Sequence, residues 1–282
     1  MGRPHNGTAP SPGGEYMADI IIDPKYQTIT CVNDPVYANI KVRVAYVDEG
    51  LAVHEIQTYQ LRRRFAGSSD YKVLKSGTVS SSDDLTYSYV DMEAIAGISY
   101  TYEACVFDAR GAWRSGVETT IICKFDGIIL ADSTGSWHSA FGTSESRFAI
   151  NTQKNRPVNY IVTLSGKFPH RVSNTQANYW TGTCSAIWLP WVPDPSGEGC
   201  IEPSFDQADA YRQEFMEWLM TDTQKLLKTS DGKAMIVGID GTPQESYNAI
   251  AGMSVVTFDW TQIGEVERPT VPFDHGEAWV SS

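Results

Sequence analysis

The stretch Gly97-Ile98-Ser99-Tyr100-Thr101-Tyr102-Glu103-Ala104-Cys105-Val106-Phe107-Asp108 decides how the first half of this chain is read. Aromatic and β-branched residues crowd it, and its alternate positions share a face, as in a strand. Outward from it, Ile40 to Tyr46 alternates in the same way, and Tyr59 to Arg64, Tyr71 to Leu74 and Leu85 to Tyr89 read as further strands. Ser76-Gly77 and Arg110-Gly111 supply turns, and Val117 to Phe125 closes the series. Short strands separated by turn signals predict a β-sandwich over residues 18–126.

The rest of the chain has a different rhythm. Gly127 to Leu130, Arg147 to Ile150, Val158 to Leu164 and Tyr179 to Trp188 read as strands, and the prolines Pro190, Pro193, Pro195 and Pro203 follow. Tyr211, Phe215, Trp218 and Leu219 then recur at helical spacing, with Glu214 and Glu217 on the other face, and Ser204 to Gln207 offers a capping box. Asp231-Gly232 and Asp240-Gly241 are read as turns around the strand Ala234 to Ile239, and Ser254 to Trp260 is the last strand. The organisation is thus an arm at 1–17, a sandwich at 18–126, a β-sandwich or barrel with one packed helix at 127–270, and a tail at 271–282.

Composition supports a mainly β fold. The 282 residues include 41% apolar and 20% charged side chains, enough for packed cores. Acids outnumber bases by 34 to 22, so a cationic stripe for nucleic acid is not expected. No run approaches a membrane span and the first residues hold no apolar leader, so neither membrane insertion nor a secretory signal is expected, which is consistent with assembly in the cytoplasm. Cys31, Cys105, Cys123, Cys184 and Cys200 show no zinc-type spacing. They read as reduced structural thiols, although Cys184 and Cys200 flank a loop and could cross-link in an oxidising medium.

Two resemblances attach to these segments. Gly97 to Asp108 resembles the late strand of a fibronectin type III domain, which typically carries G-x-x-Y-x-Y-x-V before a polar turn, and Ile56 to Arg64 resembles its middle strand. The Trp typical of the second strand is missing around Val44 to Tyr46. In the second half, Lys154-Asn155-Arg156-Pro157-Val158, Gly166-Lys167-Phe168-Pro169 and Asn178-Tyr179-Trp180-Thr181-Gly182 resemble, in that order, motifs of tailed-bacteriophage tail proteins. The segment Arg212 to Leu219, Lys225-Leu226-Leu227-Lys228, Asp231-Gly232-Lys233 and Val256 to Gly264 extend the likeness. It implies a distal-tail-like or tail-tube-like structural protein of the virion tail. The implied partners are copies of itself in a ring and proteins of the tail tube, hub or baseplate; no cofactor is implied.

Chemistry-bearing patterns are sparse. His5, His54, His138, His170 and His275 form no metal motif. Asp132, Ser133, Ser136 and His138 invite a triad reading, but serines between strands ordinarily serve turns. Arg62-Arg63-Arg64 should place its first and third side chains on one face and the second on the other, as an exposed edge or in salt bridges. Trp188 and Trp191 are the best candidates for an exposed aromatic patch, suited to a protein partner or a sugar. Residues 194–222 hold eight acids against one base, Arg212. Among them Glu198, Glu202 and Asp206 are candidate channel-facing acids that would let DNA slide past; the alternative is a solvated loop and helix face. The expectation is a non-enzymatic tail component, with a carbohydrate-binding adhesin and a cell-wall hydrolase as rivals.

Overall fold

The structure, a computed structural model, describes residues 26–47, 56–132, 137–141, 148–155, 158–161, 168, 170–173, 178–193, 201–248 and 253–266. The arm, the tail, Cys200 and Glu198 lie outside these residues.

The protein is mainly β. Among the described residues, seven strands make the first unit: β1 (Gln27–Asp34), β2 (Asn39–Tyr46), β3 (Thr58–Phe65), β4 (Lys72–Thr78), β5 (Tyr87–Asp91), β6 (Ser99–Phe107) and β7 (Trp113–Ile122). They form two antiparallel sheets, β1-β2-β5 and β4-β3-β6-β7, whose inner faces enclose Ile40, Val42, Val44, Leu61, Tyr89, Tyr100, Tyr102 and Ala104. At the entry to β6, Gly97 takes a φ of +77°, and the Tyr100 hydroxyl accepts a hydrogen bond from the Ile95 N–H at 3.0 Å. Ser76-Gly77 is not a turn, because β4 runs through it. Gly77 sits opposite Tyr59, where a Cβ would come within 2.6 Å of the tyrosine ring. The glycine serves close packing across the sheet rather than a change of direction.

The second unit is a curled sheet. Its strands are β8 (Ile128–Asp132), β9 (Trp137–Phe141), β10 (Phe148–Asn155), β13 (Tyr179–Trp188), β16 (Lys225–Thr229), β17 (Ala234–Asn248) and β18 (Met253–Glu265). Two small hairpins interrupt them, β11 (Val158–Ile161) with β12 (His170–Ser173), and β14 (Trp191–Pro193) with β15 (Ile201–Pro203). The large sheet runs β10-β13-β18-β17-β16-β8-β9, and β13 also pairs with β9 at Ile187 and Trp188, so the sheet curls back on itself. Asp240-Gly241 is a bulge inside β17 rather than a turn: the register with β18 shifts between Asp240 and Gln244, and Gly241 has a φ of +68°.

The helix α1 (Ala208–Leu219) covers the curled sheet with Phe215 and Leu219, while Tyr211 and Trp218 pack partly buried beside them. The capping box is not used. The N-cap is Gln207, and Ser204 is held instead through its N–H to the Pro190 carbonyl at 2.8 Å. The Phe205–Gln207 turn therefore intervenes before the helix begins.

Strand pairing divides the chain between Ile122 and Ile128, but packing does not. In β8, Ile128 and Leu130 face the interior of the curled sheet, whereas Ile129 joins the sandwich core and Ala131 joins a cluster with Met92. In β16, Leu227 points one way and Leu226 the other. Both faces of these strands are covered, so every residue of each is buried: β8 reads as an apolar run from Ile128 to Ala131, and β16 buries Lys225 and Lys228 along with its two leucines. The two units share a wall.

Candidate functional site

The shared wall contains a buried ionic cluster. Arg63, centre of the arginine run, points into the sandwich and pairs with Asp91, which also accepts the Tyr102 hydroxyl. Its guanidinium lies 4.7 Å over the Tyr100 ring and 3.6 Å from Glu93, which pairs in turn with Lys72. From the other unit, Lys228 enters fully buried. Its Nζ donates to the Ala38 and Met92 carbonyls and lies 5.4 Å from the centre of the Phe125 ring. Burial pushes the Lys228 ammonium down to about 8, against the opposing pull of Cys123, Asp91 and Glu93. Burial works against ionisation of Asp91, but Arg63, Tyr102 and Lys228 outweigh it and hold the carboxyl below the ordinary carboxylate range.

The flanking arginines behave as strand alternation demands. Arg62 bonds Glu103 at 2.7 Å and Arg64 bonds Glu118 at 3.1 Å, with the Tyr71 ring lying 4.2 Å from one guanidinium and 5.3 Å from the other. Carboxylates and an aromatic ring engage both cations.

A second polar cluster sits at the foot of α1. Lys225 is directly opposite Asp132 in the β16–β8 ladder; its Nζ donates to Thr221 at 2.7 Å and to Thr223, and lies 4.2 Å over the Trp218 ring. The Trp218 indole N–H donates to Asp132. Burial lowers the Lys225 ammonium against the attraction of Asp132. Asp132 thus anchors the helix to the sheet. Of its sequence neighbours, Ser133 and Ser136 lie outside the described residues, and His138 is placed only as a member of β9.

The aromatic patch needs correction. Trp188 has no exposed surface: it stacks on Phe215 at 4.1 Å and lies 6.2 Å from Phe258. Cys184, Ala186 and Trp188 occupy alternate positions of β13 and all face the core, while Ile187 and Leu189 are buried on the other side. Period two along β13 carried that signal; the adjacent prolines obscured it. Trp191 is placed in β14 opposite Pro203, and its side chain lies outside the described residues. Cys184 is a free thiol, pushed up to about 12 by burial, and its suggested partner Cys200 is outside the described residues.

The acidic segment separates into distinct settings. Glu198 is outside the described residues and Glu202 is placed only as a member of β15. Asp206, Glu214, Glu217 and Asp222 are exposed on or beside α1. The lone base, Arg212, is buried and joins Asp209 of its own helix to Glu245 of β17, 3.1 Å away. It therefore fastens the helix to the sheet and leaves the outer face uniformly negative.

Between the units, Ile95, Trp180, Lys233, Gln262 and Glu265 line a cleft of about 320 Å³, in which Lys233 is already paired with Asp231 at 2.8 Å. Among the described residues no group of three or more His, Cys, Asp and Glu side chains is placed to hold a metal ion, and no helix is long and apolar enough to cross a membrane. The chain matches no protein-family profile and no curated protein.

Proposed function

We propose that this chain is a non-enzymatic structural component of a bacteriophage tail, built into a ring or collar at the distal tail or baseplate. One observation carries the reading. Of the tail-type motifs, which span about two-fifths of the sequence, all but Gly166-Lys167-Phe168-Pro169 and the Arg156-Pro157-Val158 part of the first fall on one curled sheet and its helix. Lys154-Asn155 closes β10, Tyr179 to Gly182 opens β13, Lys225 to Lys228 forms β16, Asp231 to Lys233 makes the next turn, and Val256 to Gly264 lies in β18. Gly182 illustrates why one such residue is needed: a Cβ there would stand 1.8 Å from the Asn151 carbonyl oxygen and 2.7 Å from the Trp260 ring.

The first unit is read as a fibronectin type III-like domain attached to this body. Support comes from the three-plus-four strand arrangement and from the Tyr100 hydroxyl tied back to Ile95 at the start of β6, a corner found in immunoglobulin-like sandwiches. The shared wall and its Lys228 cluster suit a rigid mechanical part better than two modules on a flexible joint. Particle assembly would occur in the bacterial cytoplasm, with copies of the chain and neighbouring tail, hub or baseplate proteins as partners.

Cryo-electron microscopy of particles that contain the chain tests this directly. The expected map shows the sandwich and curled sheet repeated around the tail axis. Density in the capsid, or one unrepeated copy away from the axis, would overturn the reading.

A further inference from the structure

Sequence charge is segregated with unusual sharpness in the second unit. Residues 146–193 contain no acid and five bases, Arg147, Lys154, Arg156, Lys167 and Arg171, and residues 194–222 then hold eight acids and one base. The basic stretch includes the β11–β12 hairpin, whose strands pair with each other and, among the described residues, with no other strand. A two-stranded hairpin is marginally stable without something to pack against. This one nevertheless exposes Tyr160 by 64% and Ile161 by 53%, with Arg171 directly opposite Tyr160. Lys154 is exposed at the end of β10, which is the outermost strand of the curled sheet among the described residues.

Among the described residues, the charges on the two sides do not pair with each other within one molecule. Among the described residues, Lys154 and Arg171 form no ion pair, and neither do Asp206, Glu214, Glu217 and Asp222 around α1. Elsewhere among the described residues, partly exposed charges do pair internally, as Arg62 does with Glu103 and Arg64 with Glu118. The exposed Tyr160 and Ile161 beside Arg171 on the hairpin, with Lys154 (5.5 Å from the Trp180 ring) at the end of β10, and the anions without ion-pair partners beside the exposed Met220 at α1, are complementary in charge and suited to a contact.

We infer that the β11–β12 hairpin, with Lys154 and Arg171, docks on the acidic face of α1 in a second copy of this chain. Hairpin against hairpin would set like charges together, so the contact is between unlike surfaces. Repeated from copy to copy, such a contact generates a closed ring or an open fibre, depending on the rotation at each step. The inference rests on the proposed ring and identifies the surface that builds it.

Mass photometry and sedimentation of the full chain at low and high salt provide the test, with four proteins compared. These are the wild type, the hairpin reversal Lys154→Glu with Arg171→Glu, the helix reversal Glu214→Lys with Glu217→Lys, and the chain carrying all four changes. Because all four side chains are exposed, each variant is expected to melt like the parent. The wild type should self-associate, more weakly as salt screens the contact. Each reversal should weaken association by about tenfold or more, and the four-fold variant should recover it, since its charges are again complementary. Recovery separates a charge contact from mere damage. Wild-type assembly that neither reversal disturbs would overturn the hairpin contact and leave the ring standing. A four-fold variant as dissociated as its parents would also overturn it. A wild type that stays monomeric at every concentration would overturn the contact between copies, while the tail reading stands or falls on the particle map.

Discussion

In the sandwich, Arg63, Asp91 and Tyr102 share the interior with aliphatic side chains; in the curled sheet, Trp188, Phe215, Phe258 and Trp260 fill the corresponding space. The first core has directional bonds that specify one arrangement of strands, because each buried charge is costly unless its partner is in place. The second relies on close-packed rings, where shape and area dominate. The wall between them shows both habits at once: Leu226 and Leu227 point to opposite clusters, and Lys228, the next residue, brings a charge from the aromatic unit into the ionic one. Each unit thus completes the other, and separating them would leave Lys228 and the carbonyls of Ala38 and Met92 without their native partners.

The contrast can be broken most severely in the aromatic core. Trp188→Ala removes a fully buried ring between Phe215 and Phe258 and is expected to destabilise the protein by about 3–5 kcal/mol in chemical denaturation. A variant that unfolds with the parent would place that ring at a surface after all.

The ionic side has a pH signature. An unfolded lysine keeps its proton up to about 10.5, whereas Lys228 in the fold holds it only up to about 8. Below pH 8 both states are protonated, and the folded state bears the whole burial penalty. Between about 8 and 10.5 the folded amine releases its proton first, so this residue's contribution to stability rises with pH, by about 3 kcal/mol across the window. Buried tyrosines and thiols titrate in the opposite sense nearby, so the measurement is the stability of the wild type minus that of Lys228→Met, followed from neutral to alkaline pH. A flat difference would mean that the surrounding carboxylates already offset burial in full.

The smallest effect belongs to the surface. Arg62→Ala loses a partly exposed pair with Glu103 and a stacked Tyr71, and should cost about 0.2–1 kcal/mol in thermal or chemical unfolding. A loss as large as that of Trp188 would show that the outer face of the sandwich is as tightly organised as its interior.

Much of this was legible from spacing. The strand at Tyr100 to Val106, the alternation that turns Arg63 away from Arg62 and Arg64, and the helix seated by Phe215 and Leu219 all follow from periods of two and 3.6. Other elements gave little signal. β9, β12, β14 and β15 are three to five residues long, too short for a period to emerge. Gly77 and Gly241 were indistinguishable from turn glycines, because a glycine required for close approach or for a bulge looks the same in one dimension.

What the sequence determined by itself was the β class, the one α-helix among the described residues and the segregation of charge, all properties of local pattern and composition. Only the tertiary structure decided that Trp188 is core, that Arg212 is a buried fastener rather than a stray surface base, and that Lys228 belongs to the ionic cluster of the other unit. Those outcomes depend on which surface covers a side chain. Lys228 and its acceptor Ala38 are 190 residues apart, so only the pairing of two whole sheets brings them together.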